Sequence, residues 1–231
     1  MKFGIIGAME LEVNALKEKM DDPVITTVSS VDFYSGKING TETVVATAGV
    51  GKVNAAICAQ TMILTFKPDI LINIGVAGGL RDDFKIGDIA VATSVVEHDM
   101  DTTPIGDPRG FITGINKVYM DCDKKLADIL YDEANKVGDI RAQKGVIASG
   151  DQFISDDAAR NRIKSEFNAI AAEMEGASIG HVCTVNNVPF GVLRAISDGA
   201  NDDSAMDFPA FAKAAAKNSV KIMLNVLDKY R

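Results

Sequence analysis

The sequence predicts one α/β domain, built on a central mixed, twisted sheet with helices on both faces. Three observations carry that expectation. The chain has 231 residues, almost half of them hydrophobic, which is enough for one large core. Short β-rich runs alternate with helical patterns along its whole length. No repeat, low-complexity tract or linker interrupts the alternation, so residues 1–231 read as a single domain.

The elements follow in order. Phe3–Gly7 is a short apolar run that reads as a buried strand. Met9–Met20 places Leu11, Val13, Leu16 and Met20 at helical spacing. Val31–Ile38 and Thr43–Thr47 flank Asn39-Gly40, a pair that favours a tight hairpin turn. Val53–Phe66 reads as a helix that Pro68-Asp69 closes. Ile70–Ile74 and Ile89–Val96 read as further strands. Asp99–Asn116 is rich in Asp, Gly, Pro and Thr and has no periodicity, which marks a long functional loop. A helix at Lys124–Val137, a strand at Gly145–Ser149, a helix at Asp157–Phe167 and a strand at Ala169–Ala172 come next. Gly176–Asn186 reads as a buried helix, Phe190–Ile196 as a strand and Phe208–Tyr230 as a long last helix.

Composition narrows the partners. The net charge is −8, which argues against nucleic acid, because phosphate binding needs a basic face. A small, nearly uncharged ligand is compatible with it. Three cysteines with no C-x-x-C, and two histidines, favour neither a disulfide framework nor a structural zinc site. The apolar run Phe3–Met9 stops at Glu10 and suits a strand better than a signal peptide. Gly176–Leu193 lacks formal charge but contains His181, two asparagines and Pro189, which disfavours a membrane span. The expectation is a cytoplasmic protein that engages no membrane.

In α/β sheets, ligands sit at the carboxyl ends of strands. Several strand exits here carry acids or glycines. Gly7-Ala8-Met9-Glu10-Leu11-Glu12 puts two acids at a helix start, where charge against the helix dipole is the simpler explanation, worth ~0.3–1 kcal/mol. Gly49-Val50-Gly51-Lys52 opens a helix, but Val53 replaces the hydroxyl of a phosphate-binding loop, so a tight turn is the better reading. Gly75-Val76-Ala77-Gly78-Gly79 is not the dinucleotide fingerprint, which disfavours a nicotinamide cofactor. Ser149-Gly150-Asp151-Gln152-Phe153-Ile154, Glu173-Met174-Glu175 and Arg194-Ala195-Ile196-Ser197-Asp198 also end strands. Each acid alone has a salt-bridge explanation. Together they converge on one end of the sheet, and buried acids are costly unless paired or used.

These motifs, in this order and spacing, resemble the methylthioadenosine/S-adenosylhomocysteine nucleosidases of the nucleoside phosphorylase superfamily. The resemblance spans nearly the full chain and includes His98-Asp99 with Asp101. It implies a nucleoside phosphorylase-like fold and hydrolysis of an adenine nucleoside, including 5′-deoxyadenosine, with no metal or organic cofactor. Asp198 is expected to protonate adenine N7, and Glu12 to activate the attacking water. Glu175 is expected to accept the ribose hydroxyls, Met174 to pack on the ribose and Phe153 to stack on adenine. The backbone of Phe153 and Ile154 would read the adenine edge, and Phe208, in the loop entering the last helix, would cover the 5′ side. Met9, Val50, Val76 and Arg194 complete the expected substrate contacts. Family members are typically homodimers, and the partner's loop 99–116 is expected near each pocket.

The acid chemistry requires an Asp whose proton is held near neutral pH, by burial or a neighbouring carboxylate. Two departures stand out. Val76 occupies a position where many relatives carry a serine able to hydrogen-bond the acid. Thr102–Arg109 lacks the aromatics that some relatives place around the 5′ substituent. Three other readings remain: a phosphorylase, a hydrolase of futalosine or another 5′-modified nucleoside, and a nucleotide-binding module without turnover. Glu12 favours water over phosphate as the nucleophile.

Overall fold

The computed structural model describes residues 1–138, 140–201 and 204–230, with the side chains of 204–206 left aside. Ten strands form one sheet. β1 (Phe3–Gly7) lies between β4 (Thr41–Thr47) and β5 (Ile70–Gly79), parallel to both. From β4 the sheet runs antiparallel to β3 (Val31–Ile38) and then to β2 (Asp21–Val28) at the edge. Asn39 and Gly40 both take positive φ, 52° and 82°, as the tight β3–β4 hairpin requires.

On the other side of β5 the sheet closes on itself. β5 pairs in parallel with β10 (Phe190–Asp198), which pairs antiparallel with β6 (Ile89–Glu97). β6 runs parallel to β8 (Ala142–Ser149), and β8 parallel to β9 (Ala169–Glu173). β9 then returns to the far end of β5 through Gly78 and Gly79. All ten residues of β5 are buried because it has strand neighbours along its whole length. A two-residue strand, β7 (Met120–Asp121), pairs with β6.

Helices cover both faces, as expected. α1 (Glu10–Lys17), α3 (Lys124–Ala134) and α6 (Ser204–Asp228) pack Val13, Leu16, Leu126, Leu130, Val220 and Met223 into one core. α2 (Lys52–Phe66) and α5 (Gly176–Asn186) bury Ala55, Cys58, Met62, Ile179 and Cys183 in a second. α4 (Asp157–Phe167) closes a smaller third core with Ile163 and Phe167. The three cysteines are buried and unpaired. Among the described residues, no helix is long and apolar enough to cross a membrane.

The structure departs from the expected elements in several places, β7 among them. β2 was not legible, because most of it is exposed and shows no apolar alternation; Pro23 sits at a bulge on this edge strand. β5 runs five residues past Ile74, through glycines that sequence reads as a loop. Phe208 lies inside α6, which starts at Ser204. Pro209 lies past the first turn of α6, and the helix runs through it without a backbone N–H there. Segment 99–116 is held by its own contacts. Thr102 Oγ1 donates to Asp107 at 2.9 Å, a short 3₁₀ turn spans Thr103–Ile105, and Arg109 pairs with Asp101 and Glu166.

Candidate active site

A cavity of about 400 Å³ opens where β1, β5, β8, β9 and β10 end. Its walls are mostly apolar, with carboxylates at Glu12, Glu173, Glu175 and Asp198. Met9, Val50, Val76, Phe153, Ile154, Met174 and Phe208 line it as well. The strand exits predicted from sequence thus converge on one volume. Phe153 and Phe208 meet edge to face, their ring centroids 5.6 Å apart.

Glu12 is held by the helix start it occupies. Its Oε2 accepts the N–H groups of Ala8 (2.7 Å) and Met9 (2.9 Å), and its Oε1 accepts that of Val76 (3.0 Å). One side chain therefore both caps α1 and lines the cavity. Burial raises its pKa above the ordinary carboxylate value, against the opposing pull of Arg194 and the three backbone donors. Val76, expected as a substrate contact, also contributes its backbone N–H to Glu12.

Glu175 caps the entry to α5 and is nearly fully buried. Its Oε1 accepts the N–H of Gly51 at 2.9 Å. Burial pushes its pKa up to about 7, with Arg194 pulling the other way and Glu173 adding to the rise. Gly49 and Gly51 take φ of 89° and 98°, which shapes the turn before α2 so that this N–H points at Glu175. The N–H of Lys52 is taken by Asp151 (2.7 Å), and its ammonium by Glu97 (3.0 Å) and Asp99 (2.7 Å). The anions at this helix start are the protein's own, and the tight-turn reading stands.

Arg194 is the one predicted contact that does not line the cavity. It lies wholly buried behind it, pairing with Glu173 and, at 3.5 Å, with Glu175, and donating to Asn73. Burial opposes its charge, but Glu173, Glu175 and Glu12 together raise its pKa. Glu173, to which no role fell from sequence, anchors this network. It accepts from Ser149 Oγ and from the N–H groups of Glu175 (3.0 Å) and Gly176 (2.8 Å). Gly75 makes the cluster possible, because a β-carbon there would meet both Arg194 and Glu12. The spacing of Glu173 from Glu175 was visible in sequence; that both reach one buried arginine at the cavity wall was not.

Asp198 ends β10 and is almost fully buried. Ser197 Oγ donates to its Oδ2 at 2.9 Å, and the N–H of Ala200 to its Oδ1 at 2.9 Å. The hydroxyl neighbour that Val76 of β5 cannot supply is thus present on β10, on the residue before Asp198.

A partly closed mixed sheet, with carboxylates and an exposed phenyl ring around an apolar cavity at its strand exits, defines the class of protein. The chain matches the family model described as the phosphorylase superfamily over residues 2–228 and belongs to that superfamily. Within it, the chain belongs with the 5′-methylthioadenosine/S-adenosylhomocysteine nucleosidases. It is 40% identical to the enzyme so named from Exiguobacterium sp. over 230 residues, covering 99% of this chain and 98% of the relative. Among solved structures it resembles that nucleosidase from Neisseria meningitidis, determined with methylthio-immucillin-A (TM-score 0.95, 32% identity, 99% of each chain covered). It also resembles a structure named futalosine hydrolase from Helicobacter pylori (TM-score 0.94, 36% identity, covering 99% of this chain and 98% of that one).

Proposed function

We propose that the protein hydrolyses the N-glycosidic bond of 5′-methylthioadenosine and S-adenosylhomocysteine, and of 5′-deoxyadenosine, releasing adenine and the 5′-substituted ribose. The observation that carries this reading is the set of buried carboxylates, Glu12, Glu173, Glu175 and Asp198, on one mostly apolar cavity. Asp198 gives a proton to adenine N7, so that the electron pair of the breaking C–N bond enters a neutral leaving group. The ribose becomes oxocarbenium-like, and Glu12 and Glu175 stabilise the developing positive charge. Glu12 takes a proton from the water that attacks the anomeric carbon. Its raised proton affinity suits a general base. Glu175 accepts the ribose hydroxyls, Met174 and Met9 pack on the sugar, and Phe153 stacks on the base. Ile154 and Val50 flank the bound nucleoside, and Phe208 covers the 5′ side. Arg194 acts through Glu173 and Glu175 rather than by touching substrate.

Water rather than phosphate is the nucleophile. A phosphate dianion beside Glu12 would face like charge, and both nearby cations are committed: Arg194 to Glu173 and Glu175, Lys52 to Glu97 and Asp99. No step requires a metal or cofactor. The test is adenine release from a panel of 5′-modified nucleosides with and without phosphate. Adenine appearing only with phosphate, together with a pentose 1-phosphate, would replace hydrolysis by phosphorolysis. Futalosine belongs in the panel, because the resemblance to the hydrolase of that name makes it the second reading. Binding without turnover of any panel member would leave only a binding module.

The same reading includes a homodimer in the cytoplasm, with the partner's segment 99–116 beside each pocket. Val53, Ile57 and Leu64 expose one apolar stripe of α2, continuous with Val50 at the cavity, and Val185 of α5 is exposed as well. A second copy would cover that stripe. Sedimentation at micromolar concentration tests it; a fully active monomer would remove the partner segment from the site.

A further inference from the structure

The turn that carries Asp198 is held from outside the cavity. After Asp198 the chain reverses at Gly199 and Ala200, and Ala200 is a non-glycine residue with a φ of 51°. Its N–H closes back on Asp198 Oδ1. Its side chain is fully buried against Gly78 of β5, where a β-carbon would come within 2.7 Å of Ala200 Cβ and 2.9 Å of Asp198 Oδ1. The peptide carbonyl between these anchors, that of Gly199, is engaged by α4. Arg160 Nε donates to it at 3.0 Å, and Nη2 of the same guanidinium donates to Asp82 at 2.8 Å. Asp82 lies just beyond β5, the strand on which β10 is paired. Arg160 is half-buried and Asp82 exposed. Both line a second cleft, of about 430 Å³, that also reaches Asp198. Lys164, one turn further along α4, reaches Asp82 at 2.9 Å and makes no bond to Gly199.

We propose that Arg160 is a positioning residue for the acid: its planar fork ties the Gly199 carbonyl to Asp82 and so sets how Asp198 presents its carboxyl to the leaving base. This rests on the reading of Asp198 as the proton donor. A group that only orients an acid matters in proportion to how much the leaving group needs the proton. Adenine needs it; 4-nitrophenolate departs without it.

The experiment compares wild type, Arg160→Ala, Asp82→Asn and Lys164→Ala on 5′-methylthioadenosine and on the 4-nitrophenyl riboside carrying the same 5′-methylthio group. Arg160→Ala is expected to lower kcat on the adenine nucleoside by about 10–100-fold, with KM within about threefold, since small misplacements at a reacting group cost that much. Its turnover of the 4-nitrophenyl riboside stays near wild type. Asp82→Asn shows the same pattern more weakly, and it carries the test if Arg160→Ala does not fold by circular dichroism. Lys164→Ala leaves both rates unchanged. An equal loss on both substrates would mean a structural role and overturn the proposal. Undiminished adenine release in folded Arg160→Ala, or a loss of the same size in Lys164→Ala, would overturn it too. Wild type releasing no adenine would instead remove the hydrolase reading itself.

Discussion

The two sides of the cavity hold their carboxylates by different means. Glu12, Glu173 and Glu175 share one buried guanidinium and a set of backbone N–H groups from three helix starts or turns. That side is a closed electrostatic cluster in which each charge is justified by its neighbours. Among the described residues, Asp198 has no cation as a hydrogen-bond partner; a hydroxyl and an N–H hold it, at the end of a strand. The difference suits the proposed roles. In those roles Glu12 starts the cycle as an anion that takes a proton, and Asp198 as an acid that gives one. A strong fixed cation beside it would oppose the protonated form.

The largest effects should come from removing the two reacting carboxylates and asking which loss a better leaving group repairs. Asp198→Asn and Glu12→Gln should each lower kcat on 5′-methylthioadenosine by ~10²–10⁴-fold while the protein stays folded. On the 4-nitrophenyl riboside, Asp198→Asn should recover most of its rate and Glu12→Gln should not. Recovery in both, or in neither, would erase the proposed division between the two sides.

Breaking the cluster itself should cost stability. Arg194→Ala leaves Glu173 and Glu175 buried without their cation, which destabilises by about 3–5 kcal/mol in comparable cases. Thermal unfolding reads this directly. A loss below about 1 kcal/mol would mean that the backbone donors suffice to hold these charges.

Glu175 gives the comparison a pH signature. Its pKa is pushed up to about 7, so in the free enzyme its carboxyl is increasingly protonated as pH falls through that value. The ionised form accepts hydrogen bonds on both oxygens, and protonation turns one of them into a donor. KM for the nucleoside is therefore expected to rise as pH falls below about 7, by roughly tenfold at the limit for a charge-assisted hydrogen bond. Glu175→Gln should flatten that dependence while raising KM at all pH values. A KM equally pH-dependent in this variant would assign the titration elsewhere.

The smallest expected change is on the Asp198 side. Ser197→Ala removes one hydrogen bond to Asp198 and should lower kcat several-fold with little change in KM. An unaltered kcat would leave the Ala200 N–H as the support of the acid among the described residues.

How much was legible depends on whether the signal was local. The exits of β1, β9 and β10 were readable because an apolar run that stops at Glu or Asp departs from ordinary strand chemistry. Most helices were readable because their apolar periodicity survives in the sequence. β2 was not, because an exposed edge strand carries neither run nor alternation. The continuation of β5 through Gly75, Gly78 and Gly79 was hidden, since glycine reads as loop until the partner that needs the space is known. Glu173 and Glu175, two residues apart, looked equivalent; the first ends β9 and accepts the N–H groups at the start of α5, and the second stands at the N-cap position and accepts the N–H of Gly51.

By itself, the sequence determined that an α/β sheet would form and that Glu12, Glu175 and Asp198 would stand at strand ends. Both follow from hydrophobic patterning and from where that patterning breaks. The tertiary structure decided which of these groups share a cation, that Arg194 lies behind the cavity, and that Arg160 reaches the turn after Asp198. Those contacts join residues tens of positions or more apart, through the closure of β9 on β5 and the packing of α4 beside it. No local pattern encodes them, because burial and pairing at such separations exist only once the sheet has closed.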